Sequence, residues 1–118
     1  MKYKLINSEK FGWDGLNGWA YNSKDDFPNA STAYFEITGK HGMTKATKSD
    51  RIYYVIDGQG EFKINGEIIP VEKTDVIIAP KNVPYDYRAV NGTLKLFLVH
   101  TPAFDPEAEV TFPPSDDF

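Results

Sequence analysis

The chain contains no cysteine. A disulfide framework, a thiolate metal site and a cysteine nucleophile are all excluded. Apolar runs are short, far below the roughly 20 residues that span a bilayer as a helix. The opening stretch, MKYKLINSEKF, lacks the apolar segment of a secretory signal. Cytoplasmic residence, without a membrane partner, is the expectation. Basic residues are outnumbered, 13 Lys and Arg against 17 Asp and Glu, for a formal charge of −4. That balance leaves no basic face for a phosphate backbone, so nucleic acid is not an expected partner. There are two histidines, His41 and His100. No Ser-His-Asp ordering and no phosphate-cradling glycine loop emerges. Helical periodicity is almost absent.

Short β-rich runs separated by Gly, Pro, Asn and Asp are present instead. They predict strands at Thr32–Thr38, Arg51–Ile56, Glu61–Ile64, Val76–Ile78, Tyr85–Val90 and Leu94–His100. Asn65-Gly66 is a strong hairpin signal, because a type I′ turn needs positive φ at both central residues. Asp57-Gly58-Gln59-Gly60 and Asn91-Gly92 read as further turns. At 118 residues the chain is one domain, and its pattern is that of an all-β antiparallel barrel. Its core is expected over about residues 32–106. Residues 1–31 form an arm in which Trp13, Trp19, Tyr21 and Phe27 stand among glycines, read as a loop with short strand pieces. Residues 107–118 form an extended surface tail with a loose end at Ser115–Phe118.

Two segments keep a recognisable frame. Counting from Gly39 places Lys45, Thr47, Arg51 and Gly58 at fixed intervals; counting from Thr74 places Pro80, Asn82, Tyr85 and Ala89. The spacing resembles the two motifs of the cupin superfamily, with no gap in either. The family's first motif carries its histidines where Lys45 and Thr47 stand, and its glutamate at Arg51. The second carries a glycine at Asn82 and its histidine at Tyr85. The resemblance covers about Thr32–Pro106 and implies a single-domain jelly roll, with a homodimer expected. The Pro102-Ala103-Phe104-Asp105-Pro106 run resembles the end of the last barrel strand in many small cupins. All four metal-ligand positions are changed, and Thr, Lys and Arg are poor ligands for Zn, Fe, Ni or Mn. No metal and no cofactor is expected.

Residues of one parity along a strand share a face. The resemblance turns the parity of Lys45, Thr47, Arg51 and Tyr53 inward, with Tyr85 and Tyr87 facing the same cavity. The apolar row Leu94, Leu96, Leu98 ends on His100, near a barrel mouth. The expected ligand-binding set is therefore Lys45, Thr47, Arg51, Tyr53, Tyr85, Tyr87 and His100. Buried Lys45 and Arg51 demand negative partners. These are either internal (Glu36, Asp50 or Asp57) or supplied by an anionic or carbohydrate ligand. The alternative is that both cations bend out to solvent. His41 reads as a solvated loop residue. A relocated metal site using His41, His100 and Glu36 is the competing reading. The first functional reading is a metal-independent small-molecule-binding protein, not necessarily an enzyme. The second is a metal-free isomerase, epimerase or lyase acting on a sugar or keto acid, with His100 and Tyr85 as catalytic pair. The third is a structural barrel whose cavity is filled by its own side chains.

Overall fold

The computed structural model describes residues 1–114 and 118. The expectation of a loose end falls, for residues 115–117, outside the described residues. Among the described residues nine strands follow one another, with all pairings antiparallel. They are β1 (Glu9–Trp13), β2 (Leu16–Ala20), β3 (Ser31–Ile37), β4 (Thr44–Ala46), β5 (Asp50–Ile64), β6 (Glu67–Glu72), β7 (Val76–Ala79), β8 (Tyr85–Thr101) and β9 (Glu109–Thr111). One path through the sheet runs β1-β2-β3-β8-β4-β9, with β5 joining β6, β7 and β8. The all-β jelly-roll expectation holds.

Two strands organise the barrel. β5 and β8 pair along almost their whole lengths, from Asp50↔Thr101 to Ile64↔Tyr85. The sequence signals at Asp57–Gly60 and Asn91-Gly92 are not strand ends. They are facing bends within these two strands, where the register shifts between Asp57↔Lys95 and Gln59↔Val90. Gly58 sits at φ +85, and a Cβ there would lie 2.1 Å from the Thr93 carbonyl oxygen. Asn91 and Gly92 take φ 57 and 130 opposite it. Only residues tolerant of left-handed backbone allow such a bend. It folds the ladder over a corner, so that Tyr53 and Val55 before it join Phe62, Tyr85 and Tyr87 beyond it in one buried cluster.

The inward rows follow period two. Ser31, Ala33, Phe35 and Ile37 alternate inward on β3, as do Leu94, Leu96, Leu98 and His100 on β8. Asn65-Gly66, at φ 50 and 84, makes the hairpin between β5 and β6 that its sequence predicts. The strand it feeds, β6, ends a sequence run containing Pro70. It pairs only with β5, and an edge is where a proline is tolerated.

Both chain ends join the sheet beyond the expected 32–106 core. The strand pieces expected in the arm form a β1–β2 hairpin laid on β3, and residues 21–30 loop from it to β3. Gly18 leaves the space that the Phe11 ring occupies, since a Cβ there would stand 2.4 Å from it. Phe11 in turn meets the edge of Phe35. The tail is likewise not merely extended on the surface. After a 3₁₀ turn at Pro106–Ala108, β9 pairs with β4, and the Phe118 ring lies under the Arg88 guanidinium at 4.4 Å.

Candidate functional site

The inner rows enclose a cavity of about 780 Å³, a volume within the usual range for small-molecule sites. Its wall draws on both ends of the sheet: Phe11 and Trp13 from β1, Glu109 and Thr111 from β9. A space this large is not a barrel filled by its own side chains.

The expected site residues separate into two groups. Arg51, Tyr53 and His100 line the cavity. Tyr85 and Tyr87 form its buried aromatic backing: the Tyr85 ring lies 5.3 Å from the Arg51 guanidinium carbon, and the Tyr53 hydroxyl donates to the Tyr85 hydroxyl at 3.1 Å. Lys45 and Thr47 lie elsewhere. On β4 it is Thr44 and Ala46 that turn inward, and Lys45 takes the opposite face across from Val110. The bend at Thr47-Lys48 resets the alternation before Ser49, Arg51 and Tyr53 turn inward. The Thr47 hydroxyl and amide both bind the Ala108 carbonyl, so Thr47 anchors the tail. The other two expected partners, His100 and Tyr85, do not touch each other. Arg51 is the neighbour they share, opposite His100 in the ladder and over the Tyr85 ring.

Two cavity residues escape a sequence reading. The first is His41, which is not a solvated loop residue. Its ring stacks on Tyr87 at 4.7 Å and on Tyr85 at 5.8 Å, with the Trp13 edge at 5.4 Å. Its amide donates to the Tyr87 carbonyl, and Nδ1 lies 2.8 Å from the Gly42 carbonyl. A carbonyl only accepts, so Nδ1 carries the proton and Nε2 keeps its lone pair. Among the described residues nothing donates to Nε2. Burial pushes the His41 pKa down from 6.5 to about 4; the Gly42 carbonyl opposes the shift and the Arg51 charge adds to it. Asp86 holds this loop in place, its Oδ1 accepting from the amides of Gly42 (2.8 Å) and Tyr87 (2.7 Å). The sequence signal was the short step from Gly39 to His41, beside a motif that points inward.

The second is Glu109. Arg51 is 3% exposed, and its counter-charge is the Glu109 carboxylate, delivered by β9. Two of the three expected candidates are otherwise engaged: Glu36 accepts from Tyr34 on the outer face, and Asp50 accepts from the Lys81 amide. Burial raises the Glu109 pKa from 4.5 to about 7, while its contact with a guanidinium favours the carboxylate. We take the ion pair as the state near neutral pH, because the same burial makes an unpaired Arg51 costly. No local pattern in the tail marks Glu109; only long-range pairing brings it to Arg51.

Deeper in, burial pushes the Tyr53 hydroxyl up to about 12 and Tyr87 well above 10, against the opposing pull of Arg51. The Tyr87 hydroxyl and Arg51 Nε are buried without a hydrogen-bond partner among the described residues. His100 is pushed down to about 3 by burial first, then by Arg51 and His41. Its Nδ1 stands 3.5 Å from the Ser31 hydroxyl.

The donor set does not fit a metal. Arg51 occupies one ligand position of the motif and Tyr85 another, and Lys45 and Thr47 are outside the cavity. Glu36, needed for a relocated site, faces outward. Among the described residues no three His, Cys, Asp or Glu side chains converge.

Comparison with known proteins follows this geometry. The family model described as Cupin domain matches residues 34–100. Pac13 of Streptomyces, described as a nucleoside dehydratase, superposes with a TM-score of 0.84 at 30% identity, over 95% of this chain and 90% of that one. It has also been solved with uridine as variants in which a histidine is replaced by glutamine, or either of two tyrosines by phenylalanine. KdgF from a Halomonas species superposes at 0.76 with 16% identity, over 89% of this chain and 96% of that one. Oxalate decarboxylase from Bacillus subtilis superposes at 0.83 with 15% identity, over 93% of this chain and 31% of that one. The last two share the fold alone. No curated protein sequence matches the chain.

Proposed function

The chain belongs to the cupin family, and from that premise we propose that it is a metal-independent lyase that removes water from a nucleoside-like small molecule. The observation that carries the reading is His41. It is held neutral, in one tautomer, stacked on two tyrosines at the wall of a ligand-sized cavity. A dehydration without metal needs a base at a C–H made acidic by a neighbouring carbonyl, and donors for the departing oxygen. On this reading the proton moves to His41 Nε2, the C–H electron pair becomes the new C=C bond as the C–O bond breaks, and the leaving hydroxyl takes up the proton released by the imidazolium and departs as water. Tyrosine hydroxyls held neutral by burial are suited to hydrogen-bond that oxygen. The flat walls at Phe11, Trp13 and His41 suit a planar base. The base role goes to His41 rather than to His100, whose lone pairs are weaker still. The similarity to Pac13, and the histidine and two tyrosines varied there, support the choice.

The test compares the parent with His41→Gln on uridine binding by calorimetry, and on dehydration of a nucleoside carrying a carbonyl beside the carbon that loses its proton. The expected result is retained binding with turnover reduced by about 10²-fold or more, the usual contribution of a general base. Binding without turnover in the parent would leave a small-molecule-binding cupin and reject the lyase. Undiminished turnover in the variant would remove His41 from the chemistry.

The same reading includes a homodimer. The outer face of β5, β7 and β8 is apolar across three strands, with Tyr54 paired to Val76 and Phe97 and Ile52 to Ile78 and Val99. Val76 is 61% and Ile78 52% exposed. A face of this kind is suited to bury itself against its own copy about a two-fold axis.

A further inference from the structure

We infer that the cavity selects an uncharged polar ligand, and that Glu109 sets this selectivity by neutralising Arg51. The inference rests on the proposed ligand site and narrows its substrate class. It departs from the sequence expectation that a ligand anion answers the buried cation.

Three observations carry it. First, the fixed charges that line the cavity are three acids, Glu9, Asp25 and Glu109, against two bases, Lys24 and Arg51. Lys24 is itself drawn to Asp105, at 3.5 Å. An entering anion therefore meets more negative than positive charge. Second, Arg51 is paired on one terminal nitrogen by Glu109 and covered by the Tyr85 ring. A ligand carboxylate or phosphate in its usual two-pronged grip would have to displace Glu109 or lie beside it, in a partly desolvated site where like charges repel strongly. Third, Arg51 keeps a buried Nε–H with no partner among the described residues. A guanidinium already neutralised by a carboxylate suits a carbonyl or hydroxyl oxygen at its remaining donors, because such an oxygen brings no charge of its own. Glu109 comes from an edge strand only three residues long, yet it sets the charge of the site.

The probe is inorganic phosphate, titrated calorimetrically at mildly alkaline pH into the full chain, with uridine as a parallel ligand. Three proteins are compared: the parent, Glu109→Gln and the double variant Arg51→Gln/Glu109→Gln. Phosphate is expected to bind Glu109→Gln at least about tenfold more tightly than the parent, a difference of about 1.4 kcal/mol. The double variant is expected to return to the parent's weak binding. Equal phosphate binding by the parent and Glu109→Gln overturns the inference. So does phosphate binding that survives in the double variant, because it would lie away from Arg51. If Glu109→Gln is too unstable to titrate, the readout is its melting temperature, which phosphate should raise in that variant and not in the other two. Failure of uridine to bind the parent counts against the proposed function, whereas the phosphate comparison decides the charge selection by itself.

Discussion

At the scale of single residues, the two imidazoles are neutral guests in the fold. An unfolded histidine takes up a proton near pH 6.5, whereas burial lowers His41 to about 4 and His100 to about 3. Between these values the unfolded chain binds more protons than the folded one, so stability falls as pH falls from about 6.5. Glu109 runs the other way, because its folded pKa lies above the unfolded one. The histidine contribution is therefore read as a difference. From neutral pH toward pH ~4, the unfolding free energy of the parent, read from denaturant melts, should drop more steeply than that of His41→Gln, by a margin on the order of 1–3 kcal/mol. Parallel curves would mean that His41 is charged in the fold. Asp86 enters this balance as a positioning residue, since its carboxylate ties the His41 loop to β8.

At the scale of elements, the turns preserve conformations that their residues only partly suit. Thr74 and Asn82 stand where the family motif has glycine, and both keep positive φ, at 77 and 65. Asparagine tolerates this region and a β-branched threonine does not. Thr74→Gly should therefore raise stability by about 1 kcal/mol, strain relief exceeding the added freedom of the unfolded chain. Gly58→Ala should do the reverse, by several kcal/mol, because the new Cβ meets the Thr93 carbonyl. Denaturant midpoints of the two variants check both signs. The same elements show what the sequence made legible. Asn65-Gly66 announced its hairpin, and period-two burial named the inner faces of β3 and β8. Asp57–Gly60 carried the residues of a turn, but a local signal for positive φ does not say whether the chain reverses or only bends. That depends on Asn91-Gly92 in a distant strand. Lys45 failed for a related reason: parity carries no information across the bend at Thr47-Lys48.

At the scale of the molecule, motif spacing made the barrel legible, and the cavity followed from it wherever a site residue lay on a long strand. Arg51, Tyr53 and His100 belong to that set. His41 was missed because its direction is fixed by a hydrogen bond from its amide to the Tyr87 carbonyl and by the Asp86 carboxylate, both on β8. Glu109 was missed because it reaches Arg51 across 58 residues of sequence. The outer apolar face gives the prediction at this scale. In sedimentation the parent should behave as a dimer, and a Val76→Asp/Ile78→Asp variant as a folded monomer. A monomeric parent would leave the exposed face of β7 without the proposed partner.

The ends of the sheet have one more consequence. β1 and β9 each have a single neighbouring strand, and each supplies part of the cavity wall. The β5–β8 ladder and β3 supply its central part, through residues such as Arg51, Tyr53, His100 and Phe35. Edge strands open locally at far lower free energy than a central ladder. Loosening the rim of the cavity therefore costs a few peripheral backbone hydrogen bonds rather than deformation of the barrel. The wall thus has a stiff side, the ladder that keeps the geometry of Arg51 and Tyr53, and a more compliant side at the edges, holding Trp13 and Glu109.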